Sequence, residues 1–418
     1  MRTAVGFQNF KRKKSVVTKR VVWLFVLVIV AFAVFAASIV FDSKIASADS
    51  DDKKESVLDD LSNAVAEVLS RLDVDLFQKF LEGLSGEESE FLSVKNAKEV
   101  IATLTDGKGG NFFERLFSML GATVGKYFLS FLPSFITILI ICILKSILSG
   151  LTADFLDNST TEVVHVVLYA GIITILMTGV VKVLGVVTNT ITSLSKFAEA
   201  TFPVLLTLLS AVGGASSVAV FSPMLAVLSN GIITIIVKII VPAFIAVVVF
   251  SVVGNLSKSV KLDKLTHLIK TVSSWLMGVT FGLFATFLTV QGITGGVVDK
   301  YGFNVAKFAL SGYVPILGGY LSDGFDLISS SIVIVKNAFG YFAAIVLIGI
   351  IVFPMLKVMA FSLTLRLTAA IVEPIGDERV AKLLQTLASN LNLLITALAG
   401  VGFLFFIMTM MMIASCNM

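Results

Sequence analysis

The stretch NLSKSVKLDKLTHLIKTVSS, residues 255–274, decides how this chain is threaded. It places Lys258, Lys261, Lys264 and Lys270 against the single acid Asp263, with Leu262, Leu265, Ile269 and Val272 on the opposite helical face. Basic residues collect on the cytoplasmic side of a membrane, so the pattern predicts an amphipathic helix on that side. Apolar runs lie on both sides of it. Six of them, 127–148, 163–187, 231–253, 275–298, 339–361 and 391–414, are each near the roughly 20 residues that cross a bilayer. Two more, 203–230 and 314–335, are interrupted by Gly213-Gly-Ala-Ser-Ser217 and by Gly318, Gly319, Asp323 and Asp326. They suit broken or re-entrant helices. If 203–230 spanned, the basic stretch would fall on the wrong side; six spans with two re-entrant segments keep it cytoplasmic.

Composition agrees with a chain that faces lipid. Of 418 residues, 56% are hydrophobic and only 14% charged, where soluble domains run near a quarter charged. The expected fold class is therefore an all-α polytopic membrane protein, preceded by a small helical domain. The net charge of +4 is a sum of unlike parts. Arg2, Lys11, Arg12, Lys13, Lys14, Lys19 and Arg20 stand at the front with no acid among them, whereas residues 49–126 carry sixteen acids against nine bases.

The basic front is followed by the apolar run 21–41 and then by Ala46-Ser47-Ala48, which reads as a secretory signal peptide over 1–48, cut after Ala48. An uncleaved anchor is the alternative, since the run is long enough to span. Either way the basic end stays cytoplasmic and residues 49–126 emerge outside as an acidic domain. Apolar residues at helical spacing there, Val57, Leu58, Leu61, Val65, Val68, Leu69 and Leu72, then Leu76, Phe77, Phe80, Leu81 and Leu84, predict short amphipathic helices. The segment is barely long enough to bury its own core. Gly107-Lys-Gly-Gly110 marks a hinge into the membrane domain, 127–418.

The interrupted segments resemble one another. Lys196-Phe-Ala-Glu-Ala-Thr-Phe-Pro203 aligns with Lys307-Phe-Ala-Leu-Ser-Gly-Tyr-Val-Pro315, and each is followed 39 residues later by a second proline, Pro242 or Pro354. This suggests a duplication over about 188–298 and 299–414, with the four prolines as helix breaks. Repeats with broken helices are a common way to build a midplane site.

Charges inside the spans are the candidates for function, because each costs about 2.5 to 3.5 kcal/mol at a helix centre. Lys182 and Lys238 lie several residues inside their runs and would line a polar path; Lys145 and Lys357 are placed to snorkel. Asp323 and Asp326, three apart, would attract cations or simply mark the water boundary. The string Glu373-Pro374-Ile-Gly376-Asp377 combines a proline bend with acids. It would cap the next helix through Asp377, or dock a cytoplasmic partner.

Enzymatic chemistry is not expected. His165 and His267 form no His-Glu-x-x-His pair, no phosphate-binding glycine loop with its lysine is present, and Cys142 and Cys416 cannot make a metal site between them. No cofactor, metal or nucleic acid is expected, since the basic cluster belongs to the leader.

Lys196-Phe-Ala with Pro203, Thr289-Val-Gln291-Gly292, Ser311-Gly-Tyr-Val-Pro315 with Ser322-Asp323, Lys336-Asn337-Ala338 and Glu373-Pro374-Ile-Gly376-Asp377, in that order, resemble the stage III sporulation protein AE family of endospore-forming bacteria. The resemblance covers residue 90 onward together with the signal segment. It implies a protein of the mother-cell membrane facing the forespore, acting during engulfment as part of a secretion-like channel and having no enzymatic activity of its own. The implied partners are other proteins of the same operon, namely ring-forming subunits and a cytoplasmic ATPase, and a forespore membrane protein.

Overall fold

A computed structural model describes residues 53–84, 89–90, 96–105, 111–155, 158–256, 262–313, 318–375 and 378–416. The signal segment with Ala46 and Ala48, the hinge 107–110, Pro315, Gly376 and Asp377 lie outside the described residues.

Three short helices come first: α1 (Lys53–Arg71), α2 (Asp75–Glu82) and α3 (Ala97–Thr105). Long helices follow, α4 (Asn111–Phe155) and α5 (Asn158–Ala211). The chain then reverses and returns through α6 (Ala215–Ala226), a π-helical stretch π1 (Val227–Ile232), α7 (Ile233–Ile235), a second stretch π2 (Ile236–Ile240) and α8 (Val241–Leu256). Next are α9 (Asp263–Tyr313) and α10 (Gly318–Val372), a single 3-10 turn at Glu373–Ile375, α11 (Glu378–Asn390) and α12 (Asn392–Ala414).

Among the described residues, six helical runs are long and apolar enough to cross a membrane: Gly121–Leu148, Val166–Ala211, Ala215–Asn255, Asp263–Val290, Gly324–Ile375 and Glu378–Ala414. Each contains or overlaps one span expected from the sequence. Successive runs alternate in direction, so the hairpin tip 212–214, the 313–318 link and the end of α12 share one end of the bundle. The links 155–158, 256–263 and 372–378 share the other. At 1.5 Å per residue, α5 and α10 are each roughly 80 Å long, far longer than the roughly 30 Å of hydrocarbon. The bundle therefore stands well clear of the bilayer on at least one side.

Three expectations need correction. Pro203 and Pro354 do not break their helices, since α5 and α10 run straight through them. Pro354 is buried among neighbouring helices, and Pro203, itself exposed, lies between the buried Phe202 and Leu205, so packing on either side holds the helix around the missing N–H. The break in 203–230 falls at Val212–Gly214 instead, where Gly213 has φ 90°. There it reverses the chain between two long packed helices and so forms the tip of a hairpin. Pro242 has no N–H to offer the carbonyl of Lys238, and the π register of Ile236–Ile240 lies immediately before it. Among the described residues, Gly318, Gly319, Asp323 and Asp326 sit in one unbroken helix. Finally, the basic stretch 255–274 is no free interfacial helix, because from Asp263 it is the first part of α9.

Helix α10 forms the axis. It packs against α4, α5, α11, α12, α9 and also α1 and α3. Val335, Phe339, Phe342, Val346, Leu347, Ile350 and Phe353 along it are buried. Small residues let its neighbours approach, as is usual in membrane bundles. A Cβ on Gly402 of α12 would meet Ile351, and one on Gly340 would meet Ile413.

The acidic N-terminal segment does not fold over itself alone. Phe77 of α2 is fully buried, edge-on to Phe339 and Phe342 of α10 at centroid distances of 5.0 and 5.5 Å. Phe80 meets Phe197 of α5 at 6.0 Å. The unit too small to bury its own core completes it on the bundle. Phe77→Ala should cost about 3–5 kcal/mol of docking, seen as faster proteolysis within 53–105 of the detergent-purified chain while the six-helix part stays resistant. Equal rates would contradict the docking.

Candidate functional site: a buried polar clasp and two outward lysines

At the hairpin tip, the Gly214 N–H donates to Leu209 O (2.9 Å) and the Gly213 N–H to Ser210 O (3.0 Å), closing off α5. A Cβ at Gly214 would stand 2.8 Å from Leu209 O and 2.9 Å from the Cys416 sulfur, so a side chain has no room. Helix α6 then starts with amide N–H groups that no carbonyl of its own helix can accept. Asp299 of α9 supplies the acceptors. Its Oδ1 accepts from the Ser216 N–H (2.9 Å) and its Oδ2 from the Ser217 N–H (2.8 Å). A carboxylate at a helix N-terminus is favoured by the helix dipole as well as by these bonds.

Cys416 closes on the same carboxylate, and Lys336 ties down the residue before it. The Cys416 thiol, just past α12, donates to Asp299 Oδ2 at 3.8 Å. Burial, and then the Asp299 charge, push this thiol up to about 11, so it is a protonated donor at neutral pH. Lys336 of α10, fully buried, donates to the carbonyl of Ser415. Asp299 is itself only 5% exposed. Opposite charges from consecutive helices thus pin the hairpin tip and the end of α12. The Ser217 hydroxyl, fully buried, has no hydrogen-bond partner among the described residues.

The other end of the bundle has a second polar knot. Lys270 donates to Ser389 O (2.7 Å), Ser389 Oγ (3.2 Å) and Asn390 Oδ1 (3.3 Å), and Asn390 Nδ2 donates to Ser251 Oγ (3.0 Å). Asn390 marks the bend between α11 and α12. A lysine expected on a free polar face is therefore spent on holding that bend.

Of the lysines expected to line a path, Lys182 lies on α5 and Lys238 on π2. Lys182 and Lys238 are both exposed on the outer surface, with no hydrogen bond or ion pair among the described residues. Lys145 lies 5.8 Å from the Tyr169 ring and Lys357 5.5 Å from the Tyr127 ring, each a cation–π contact. Asp326 is half-buried, and the Asp323 side chain lies outside the description. Glu373 and Pro374 are exposed in the 3-10 turn, whose Ile375 carbonyl accepts from Ser146 Oγ at 3.1 Å. Among the described residues no group of three or more His, Cys, Asp or Glu is placed to hold a metal ion.

Asp299 escaped the sequence reading altogether, and Lys336 entered only through a motif. The available signal was Gly213-Gly-Ala-Ser-Ser217 itself, a helix end followed by a helix start, which requires an acceptor from elsewhere.

Six long apolar helical runs among the described residues, one of them a buried axis, tied at both ends by charged clasps, define an all-α polytopic membrane protein. Comparison with known families narrows this further. The family of stage III sporulation protein AE matches residues 95–416, and the chain belongs to it. The stage III sporulation protein AE of Bacillus subtilis (strain 168) is 27% identical over 282 residues, 68% of this chain and 71% of the relative. No solved structure matches.

Proposed function

We propose that the chain is an integral membrane subunit of the secretion-like channel complex that links mother cell and forespore and supports forespore development during engulfment. In this reading it sits in the mother-cell membrane, with α1 to α3 and the hairpin tip in the space between the two membranes. It catalyses no reaction itself; energy would come from a cytoplasmic ATPase partner. Ring-forming subunits of the same operon and a forespore membrane protein would meet its outer end.

The observation that carries the subunit reading is the outward exposure of Lys182 and Lys238. A carrier acting alone would turn such charges toward its own interior, whereas here the interior along α10 is filled with Phe339, Phe342, Val346, Ile350 and Phe353. Charged groups on the outside of an apolar bundle suit a protein whose outer surface is covered by others.

Purification of the full-length tagged chain from sporulating cells in gentle detergent should recover ring subunits and the ATPase; recovery of neither overturns the reading. Sidedness has its own test. A reporter active only in the cytoplasm, fused after Lys270, should be active, and a silent fusion would reverse the orientation.

A further inference from the structure

Among the charges of the apolar runs, Lys238 stands out by depth. The exposed residues of its own helical run bracket it, Val227 eleven residues before and Val253 fifteen after, roughly 16 and 22 Å along a helix. Toward the hairpin tip the first residue outside the span is Asn230, eight residues before and roughly 12 Å away, with Thr234 exposed between them, and toward the other end the polar knot at Ser251 is thirteen residues away, roughly 20 Å; both ends lie beyond what a snorkelling lysine stem can span. Val237, Ile239, Ile245 and Val249 surround it on the same outer surface. The π register over Ile236–Ile240 is a helical form that recurs at functional positions.

Lys145 and Lys357 have tyrosine rings, but Lys238 has no partner among the described residues. Nor can a second copy supply a carboxylate at this level. The six spans 127–148, 163–187, 231–253, 275–298, 339–361 and 391–414 hold no Asp or Glu, and neither does the apolar run 21–41. Glu199, Asp299 and Asp326 lie toward the ends of their long helices, and Glu373 lies in the turn after α10.

We propose that the outward face of π2 and α8, centred on Lys238, docks a membrane-spanning helix of a different protein that carries an aspartate or glutamate near the middle of its apolar run. The proposal rests on the subunit reading above and names the chemistry of one of its contacts. Within the bilayer such a pair offsets the insertion cost of both charges. The flanking valines and isoleucines give the partner helix an apolar bed.

The test places a photo-crosslinking amino acid at Ile239 or Ile245 of the full-length chain in sporulating cells, leaving Lys238 intact. Crosslinked peptides are identified by mass spectrometry after purification. The expected product is a span of another membrane protein bearing an Asp or Glu. Its yield should fall roughly tenfold or more with Lys238→Leu, as for loss of one partner of a desolvated pair, and stay within about twofold with Lys238→Arg, which keeps the charge. Lys238→Leu removes a charge from an apolar face, so the amount of protein in the membrane should not drop. Crosslinks to lipid only, to a second copy, or to a span without an acid overturn the proposal, as does a yield insensitive to Lys238→Leu. If ring subunits and the ATPase still co-purify in those cases, the subunit reading survives; if the unaltered chain recovers no partner, both fall.

Discussion

Replacing Asp299 by alanine should destabilise the folded protein by roughly 2–4 kcal/mol, since one buried and one half-buried amide lose a charged acceptor and each unsatisfied group costs about 1–3 kcal/mol. The Ser216 and Ser217 N–H groups would face the hole left by the carboxylate, and the Cys416 thiol would lose its acceptor. Asp299→Asn keeps one acceptor oxygen and should lose about half as much. The measurement is the midpoint for loss of the monodisperse species when the detergent-purified chain is heated. An unchanged midpoint for Asp299→Ala would show that the clasp contributes nothing to holding the bundle.

A comparable loss is expected from Gly400→Leu. A Cβ on Gly400 of α12 would overlap the ring of Phe281 on α9, with three ring atoms in its way. Phe281 is half-buried where α9 packs on α12, so leucine forces its ring aside or the helices apart. Overpacking of this kind costs about 1–3 kcal/mol and sometimes more, and a leucine should reach the upper end. Gly185 of α5 provides the control, because a Cβ there meets nothing within 4 Å. Gly185→Ala should be neutral or stabilising by about 0.5–1 kcal/mol through reduced backbone freedom. If Gly400→Leu and Gly185→Ala gave the same heating midpoint, close packing of α9 on α12 would be wrong.

Much of the architecture was legible because hydropathy integrates over twenty residues and is insensitive to detail. Each run near that length became part of a helix, and Leu61, Val65, Phe77 and Leu81 revealed the helical spacing of the N-terminal segment. What covers Phe77 was not legible, since Phe339 and Phe342 lie more than 250 residues away and look like any other span residues. Proline misled in a specific way. Pro203 and Pro354 are tolerated because the helices around them supply the packing, whereas Gly213 and Gly214 break the chain through positive φ and a contact too close for a side chain. The clasp was hidden for the same reason as the Phe77 seat. Asp299 is 83 residues from Ser216, and Lys336 is 79 from Ser415, with no local pattern to join them. The direction in which Lys182 and Lys238 point depends on which neighbours crowd each helix, and a lone stretch of sequence carries no record of that.

The clasp also has a timetable. It draws on residue 216 from the returning half of a hairpin, 299 from the helix after it, 336 from the next, and 415 beyond the sixth. During synthesis, the amides of Ser216 and Ser217 emerge first and wait through about eighty residues for their acceptor. Lys336 must wait as long again for the carbonyl of Ser415. The clasp end of the bundle can therefore lock only after the last of the described apolar runs has been threaded. Until then Lys336 is a charge without its final acceptor.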